Sequence, residues 1–308
     1  MVPGKTLIVV AGPTAIGKTA LAIQLAKFFS TEIISADSRQ FFREMEIGTA
    51  KPSKEELAEV KHYFINSHSI STLFSTGDFE VEALTLIQEL FTKKDLLIMV
   101  GGSGLYLDAV CKGLDELPQT DLTIRKQLNE QFEREGITHI REQLRIRDPE
   151  YFNKTDQSNP QRMIRGLEFF LSTGSRLSSF HTKQVKERPF NIVKIALNTD
   201  RNKLYERINT RVDLMMQAGL LEEVRSLQPY QHLNALKTVG YSELFDYLED
   251  KTTLASAVDK IKQNTRRFAK RQLTWFRRDD ATKWFEPEQL PEIIEYIRQS
   301  VKSFKPGL

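Results

Sequence analysis

An eight-residue motif near the start of the chain constrains its fold more than any other feature. Gly12–Thr19 reads Gly-Pro-Thr-Ala-Ile-Gly-Lys-Thr and satisfies the P-loop pattern G-x-x-x-x-G-K-[ST]. The apolar, β-branched run Thr6–Ala11 precedes it, which is typical of a strand buried on both faces of a parallel sheet. Thr19–Phe29 then shows helical spacing. The combination of strand, loop and helix predicts a true P-loop rather than an incidental glycine turn.

Each part of this motif has a chemical role at a phosphate. Glycines let the backbone turn tightly and bring its N–H groups onto phosphate oxygens. The helix that follows points its positive N-terminal end at the same place. A lysine supplies a mobile charge, and a threonine hydroxyl can ligate Mg²⁺. The candidates for phosphate binding are therefore Gly12, Pro13, Thr14, Ala15, Ile16, Gly17, Lys18 and Thr19, with Thr19 also a candidate metal ligand.

Further strand patterns recur along the chain and alternate with helices, at Glu32–Ala36, Leu96–Val100 and Asn191–Leu197. Such alternation predicts an α/β fold, with a P-loop NTPase-like, doubly wound parallel sheet flanked by helices. The alternation stops between residues 117 and 189, where the spacing is helical instead. The helices predicted there are Leu122–Glu135, Ile137–Arg147 and Pro160–Ser172. We expect a core domain of residues 1–116 and 190–308, and a helical insertion at 117–189.

Composition excludes several classes of protein. The single cysteine, Cys111, cannot form an intramolecular disulfide, and no cysteine–histidine zinc spacing exists. No stretch approaches the roughly 20 apolar residues that a membrane span requires. By elimination we expect a cytoplasmic protein with no membrane contact, and no pattern indicates an obligate dimer, so we expect a monomer. The net charge of +3 does not by itself identify a polyanionic partner.

Two polar side chains at strand ends are candidates for chemistry. Asp37 follows the second strand, and ligands of open α/β sheets bind outside the carboxyl ends of the strands. The aspartate can ligate Mg²⁺, act as a general base or cap a following helix, and the residues alone leave these roles open. Ser103 follows the third strand within a Gly-Gly-Ser-Gly segment, which is either a simple turn or a hydroxyl aimed at a reacting group.

Motifs beyond the P-loop resemble the tRNA dimethylallyltransferase family, bacterial type. They are Ile34–Gln40 (ISADSRQ), Ile47–Pro52 (IGTAKP), Val100–Tyr106 (VGGSGLY), Asn159–Gly174, Arg207–Val224, Val239–Leu244 and Thr265–Arg277. These blocks span nearly the whole chain in the family's order. The resemblance implies a P-loop NTPase-like core with a helical insertion.

The resemblance also implies a reaction and roles for particular residues. A dimethylallyl group passes from dimethylallyl diphosphate to the exocyclic amine of the adenosine just 3′ of the anticodon in tRNA, releasing diphosphate. The P-loop, Mg²⁺ and Arg211 would hold the diphosphate, and Asp37 would be the general base. Ser103 would assist where the family usually has threonine. From the residues alone, Arg211 reads as a surface ion-pair partner of Glu206 or Asp213.

The partner implied by the resemblance is the anticodon stem-loop of tRNA. The residues it assigns to tRNA contact are Asp37, Ser38, Arg39, Gln40, Ser103, Arg125, Gln161, Arg162, Met163, Ile164 and Arg165. The alternative for the arginines at 162 and 165 is ion pairing with Glu168. Residues 260–278 add eight basic side chains and no acidic one. Within this stretch we expect Phe268 and Trp275 to pack into the core, because positions seven apart share a helix face.

Two other classes of function compete with this interpretation. A small-molecule kinase would also combine a P-loop with a strand-end aspartate, but it does not need a long basic region such as residues 260–278. A non-catalytic RNA-binding protein would keep its function without Asp37. Phe41-Phe42 is a further departure, since family members often carry a tyrosine there.

Overall fold

The structure, a computed structural model, describes residues 4–182 and 184–303, without the side chains of residues 302 and 303. Residues 1–3 and 304–308 of the expected core domain, and residue 183 of the expected insertion, lie outside the described residues. The contacts divide the chain into two compact units. One contains the described residues through Lys112 and from Glu187 onward, and the other is Gly113–Lys186.

The larger unit is built on a parallel sheet of six strands in the order β3-β2-β4-β1-β5-β6. The strands are β1 (Thr6–Ala11), β2 (Ile33–Ser35), β3 (His62–Tyr63), β4 (Leu96–Gly101), β5 (Asn191–Leu197) and β6 (Lys283–Phe285). The α/β prediction is confirmed, and so are the four strands it rested on. The sequence patterns missed β3 and β6, because edge strands of two and three residues are too short to show a periodicity.

Helices cover both faces of this sheet. Those of the larger unit are α1 (Lys18–Phe28), α2 (Lys54–Glu59), α3 (Thr76–Leu90), α4 (Gly104–Lys112), α9 (Arg201–Gln217), α10 (Leu220–Leu227), α11 (Tyr241–Leu248), α12 (Leu254–Phe276) and α13 (Leu290–Ser303). Alternate residues of β1 enter opposite layers: Ile8 packs in a cluster with α1, and Val9 in a cluster with α3. Burial on both faces explains why β1 is apolar throughout.

The smaller unit is helical and contains α5 (Leu122–Glu135), α6 (Ile137–Arg147), α7 (Pro149–Lys154) and α8 (Pro160–Thr173). Local signals fix the ends of α8. Asn159 caps its first turn through a side-chain hydrogen bond to Arg162 N–H, and Gly174 ends it at φ 72°, a conformation that favours glycine. Leu144 and Leu167 lie in the unit's own apolar core. Among the described residues, no helix is long and apolar enough to cross a membrane.

Candidate active site

The P-loop joins β1 to α1 at the carboxyl end of the sheet. Gly17 precedes α1 at φ 101°, a left-handed conformation that glycine adopts without steric cost. Lys18 Nζ donates a hydrogen bond of 2.7 Å to the carbonyl of Pro13. Burial lowers the pKa of Lys18 to about 8, against the opposing effect of Asp37 and with a smaller contribution from Arg211. The loop is thus a positively charged, partly desolvated site for an anion.

Arg211 reaches this loop from the middle of α9. Its Nη1 donates to the Thr14 hydroxyl over 3.3 Å, and burial lowers its pKa while Asp37 partly opposes the shift. Among the described residues Arg211 forms no ion pair, so the surface pair considered from the sequence is not formed, and Asp213 pairs with Lys262 at 2.6 Å. The structure therefore brings Arg211 and Lys18 to the same loop.

Gln272 of α12 also holds the loop, a role that the sequence analysis did not predict. Its Oε1 accepts a hydrogen bond of 2.8 Å from Thr14 N–H, and its Nε2 donates one of 2.8 Å to the carbonyl of Gly102. The side chain is buried. A Cβ added at Gly102 would lie 2.4 Å from Nε2, so a larger residue there would push the glutamine amide aside. The one signal for it in the sequence was its place within the Thr265–Arg277 block, TRRFAKRQLTWFR, which carries part of the family resemblance.

Asp37 lies two residues after the end of β2, immediately before a turn. Its Oδ1 accepts a hydrogen bond of 3.0 Å from Arg39 N–H. The helix-capping alternative is wrong, because the next helix, α2, begins at Lys54 and is capped by Ser53. Ser103 lies beside this turn, and its Oγ accepts a hydrogen bond of 2.9 Å from Ser38 N–H. The two strand-end residues are therefore neighbours, held by one short network.

Two cavities meet at Asp37. The first, the P-loop cavity, has a volume of 370 Å³ and is lined by the P-loop from Thr14 onward, by Gln40 and by Gln272. The second, the helix cavity, has a volume of 240 Å³ and is lined by Ser38, Arg39, Ser103 and residues of α9, α10 and α12. Of the residues that the structure describes, five line both cavities: Thr14, Asp37, Thr49, Arg211 and Phe268. The carboxylate thus stands where a ligand in one cavity would meet a ligand in the other.

Residues 46–50 form a strap, and its residue Thr49 lines both cavities. Glu223 of α10 accepts hydrogen bonds from the N–H groups of residues 46–48 and one of 2.6 Å from the Tyr241 hydroxyl. Gln40 Nε2 donates to the carbonyls of Thr49 and Ala50 over 3.2 and 3.1 Å. Gln40, expected to touch tRNA, is therefore occupied in holding the strap.

The aromatic side chains near the site divide into two groups. Phe41 and Phe42 are buried in an apolar cluster, and Trp275 packs inward with its Nε1 donating to Asp108 over 2.9 Å. Phe268 does not follow the prediction of core packing: it is 38% exposed and lines both cavities. Position alone could not separate it from Trp275, because α12 runs for 23 residues and its neighbours change along its length.

The smaller unit carries six of the residues expected to contact tRNA. Gln161 and Arg162 are exposed. Arg165 instead pairs with buried Glu168 at 3.2 Å, and Arg125 pairs with the same carboxylate at 2.8 Å. The prediction for two more side chains needs correction, since α8 turns its apolar face into the unit's core. They are Met163 and Ile164, which are 0% and 1% exposed.

The P-loop cavity contains oxygen donors for a magnesium ion, but too few protein ligands to surround the ion completely. Among the described residues no group of three or more His, Cys, Asp or Glu side chains could hold a metal. The Thr19 hydroxyl and the Asp37 carboxylate both line the P-loop cavity. Mg²⁺ is usually held by one or two such protein ligands together with phosphate oxygens and water. The residues present fit an ion carried mainly by a phosphate ligand.

Fold and site together define a P-loop protein. The acidic residue at its anion site is Asp37, which follows β2 and lines the P-loop cavity. The sequence profile of the IPP transferase family matches residues 40–279. A tRNA dimethylallyltransferase from Christiangramia forsetii is 52% identical over 298 residues, covering 96% of this chain and 99% of that protein. The chain belongs to the IPP transferase family, as the motifs indicated.

Solved structures agree with this assignment. The tRNA isopentenylpyrophosphate transferase from Bacillus halodurans superimposes with a TM-score of 0.73 at 36% identity, covering 97% of this chain and 98% of that one. A eukaryotic dimethylallyltransferase acting on tRNA gives a TM-score of 0.70 at 27% identity, covering 88% of this chain and 69% of that one.

Proposed function

We propose that this protein transfers the dimethylallyl group of dimethylallyl diphosphate to the exocyclic amine of the adenosine 3′-adjacent to the anticodon in tRNA. The observation that carries the proposal is the position of Asp37, which lines both the P-loop cavity and the helix cavity. A diphosphate in the first cavity and an adenine in the second would meet at this carboxylate. The names of the relatives, and the large share of this chain that they match, support tRNA as the acceptor.

The P-loop side binds the donor's diphosphate. Backbone N–H groups of the loop, Lys18 and Arg211 supply the positive potential, and Gln272 fixes the loop through Thr14. As the bond between the allylic carbon and oxygen breaks, its electron pair passes to the diphosphate. Fixed donors stabilise that charge because they are already oriented when it develops.

Asp37 acts as the general base on the acceptor side. The amine of adenine is a poor nucleophile because its lone pair is delocalised into the ring. When the nitrogen–carbon bond forms, a proton leaves the amine for the carboxylate, and such transfer typically contributes about 10²–10⁴-fold in rate. Ser103 Oγ already accepts from Ser38 N–H, so its O–H can donate into the helix cavity.

Magnesium would be held by the Thr19 hydroxyl together with the substrate's phosphate oxygens. When bound, the ion supplies positive charge that neutralises the leaving diphosphate. Lys18 and Arg211 remain the charged protein groups around the same oxygens.

Binding of tRNA is the second part of the proposal. The anticodon stem-loop would contact Ser38 and Arg39 beside the helix cavity and the exposed pair Gln161 and Arg162 of the helical unit, which we regard as a tRNA-binding insertion. Basic side chains of α12 would contact phosphates. The adenosine must leave its stack to enter the cavity, as in other enzymes that act on a base.

The proposal is tested with labelled dimethylallyl diphosphate, Mg²⁺ and an unmodified tRNA transcript. Label should enter the RNA, and a transcript with guanosine at the target position should stay unlabelled. Failure to label an adenosine-containing tRNA that a known family member labels would refute it. Consumption of ATP with a small hydroxylated acceptor, independent of RNA, would favour a kinase instead.

A further inference from the structure

Five residues line the junction of the two cavities, and four of them are polar: Thr14, Asp37, Thr49 and Arg211. The fifth, Phe268, is the one apolar side chain of the described residues that lines both cavities. Under the proposed function, the group that crosses this junction is a hydrocarbon of five carbons. It needs an apolar surface at the place where every other shared side chain is polar or charged.

The order of side chains along α12 places Phe268 at that crossing. Ile261 and Thr265 line the helix cavity, and Gln272 lines the P-loop cavity. These positions follow one another along one face of the helix over about 16 Å, at a rise of about 1.5 Å per residue. Phe268 lies between the two sets, so its ring stands between the P-loop cavity and the helix cavity.

Phe268 is only partly buried. It is 38% exposed, and the basic residues Arg267 and Lys270 lie on either side of it along α12. The guanidinium carbon of Arg271 lies 5.8 Å from the ring centroid, at the outer limit of a cation–π contact. The ring is therefore free to meet a ligand over the cavity.

We infer that Phe268 is a substrate-contacting residue whose ring packs against the dimethylallyl group during transfer and limits the length of the donor chain. This inference rests on the proposed function. Two physical effects support it. The ring offers apolar contact to the isoprenoid carbons, and its π face attracts the positive charge that develops on the allylic carbon as diphosphate departs. The ring takes no part in bond making: the amine attacks, diphosphate leaves and Asp37 receives the proton.

The test compares Phe268→Ala, Phe268→Leu and Phe268→Tyr at saturating tRNA, with dimethylallyl and geranyl diphosphates as competing donors. We expect Phe268→Ala to lower kcat/KM for dimethylallyl diphosphate by about 10- to 100-fold, the size of a desolvated cation–π and apolar contact. It should also raise the share of geranyl transfer. Phe268→Tyr keeps the π face and should stay within a few-fold of wild type. Phe268→Leu keeps apolar contact, so its donor KM should change less than its kcat.

Val81→Ala serves as the control, since it shortens an apolar side chain that is 67% exposed on α3, outside both cavities. Thermal unfolding of each variant separates loss of fold from loss of contact. Unchanged donor kinetics in Phe268→Ala, or a change confined to the KM for tRNA, would overturn the inference. The proposed function would still stand in that case, provided that the wild-type protein transfers the dimethylallyl group to tRNA. Absence of transfer by the wild-type protein would remove the proposed function itself, and the inference with it.

Discussion

Thr14 and Gln272 are 258 positions apart in the chain, yet the backbone N–H of the first donates a hydrogen bond of 2.8 Å to the side chain of the second. The same glutamine donates to the carbonyl of Gly102. One side chain of α12 thus ties the P-loop after β1 to the glycine turn after β4. Since both strands end at the site, this bridge sets the spacing between the anion loop and Ser103.

Replacement of Gln272 tests that bridge. Gln272→Ala leaves a buried N–H and a buried carbonyl without partners, and we expect it to lower the free energy of unfolding by about 1–3 kcal/mol and to raise the donor KM. Urea unfolding and steady-state kinetics measure the two effects. Gln263→Ala, at an exposed position of the same helix, is the matched control and should change the free energy by less than about 0.5 kcal/mol. Equal behaviour of the two variants would contradict a bridging role.

Asp37→Asn separates the chemistry of the carboxylate from its place in the turn. The amide oxygen can still accept the hydrogen bond from Arg39 N–H, but the group no longer accepts a proton. We expect kcat to fall by about 10²–10⁴-fold, with the Kd for tRNA nearly unchanged. Single-turnover rates and filter binding measure these quantities. Asp37→Ala also loses the hydrogen bond from Arg39 N–H. A lower free energy of unfolding in Asp37→Ala than in Asp37→Asn would therefore measure the contribution of that hydrogen bond. Normal turnover in Asp37→Asn would exclude the base.

The pKa of Lys18 predicts a pH dependence of donor binding. Its pKa lies near 8, lowered mainly by burial, so the free protein loses this charge as pH rises through about 8. The KM for dimethylallyl diphosphate should therefore rise above pH 8 in the wild type. This rise is a break in the pH profile of the donor KM. Lys18→Arg should remove the break, because a guanidinium stays protonated. A break of equal size in the arginine variant would assign it to another group.

The same shift has a second consequence for stability. Between about pH 8 and the ordinary lysine value, the unfolded chain binds the proton that folded Lys18 has lost. The free energy of unfolding of the wild type should therefore increase with pH in that range, relative to Lys18→Met. Urea titrations of both proteins at pH 8 and pH 10 measure the difference. A decrease would mean that Lys18 is charged throughout.

Asp279 predicts acid sensitivity of the larger unit. Burial alone would raise its pKa, but hydrogen bonds and charge from Lys194 and Lys112 outweigh burial and lower the pKa to about 2. A lowered carboxyl pKa stabilises the fold above the unfolded value near 4, and the contribution is lost as pH falls toward 2. Asp279→Asn should cost about 1–2 kcal/mol at pH 7 and nothing near pH 2. Exposed Asp280→Asn is the control.

Arg162 and Arg165, one turn apart on α8, should differ in their effect on tRNA. Arg162 is exposed, whereas Arg165 pairs with buried Glu168. Arg162→Ala should weaken tRNA binding and leave the free energy of unfolding unchanged. It should also reduce the slope of log K for tRNA binding against log salt concentration, called the salt slope, by about one. Arg165→Ala should destabilise the unit instead, because Glu168 loses one of its two cations. Exposed Arg145→Ala, which loses only a surface pair with Glu142, is the control for the charge change. Equal salt slopes for Arg162→Ala and Arg145→Ala would argue against a phosphate contact at Arg162.

Sequence alone determined the parts of this protein that depend on neighbouring residues. The P-loop, the four longer strands and the ends of α8 follow from local patterns: an apolar run, a glycine motif, an asparagine cap and a terminal glycine. Asp37 could be placed at the site because strand ends converge at one edge of a parallel sheet. These signals act within a few residues, so they can be recognised in the amino-acid sequence without the tertiary structure.

Tertiary structure decided which side chains meet. Gln272 and Phe268 lie on one helix among basic residues, and only the packing of α12 against the P-loop turns one into a bridge and leaves the other over a cavity. The burial of Met163 and the pairing of Arg165 likewise depend on which face of α8 meets its neighbours. Periodicity defines the faces of a helix, but the partner of each face comes from residues far away in sequence, because burial and hydrogen bonding are properties of the assembled fold.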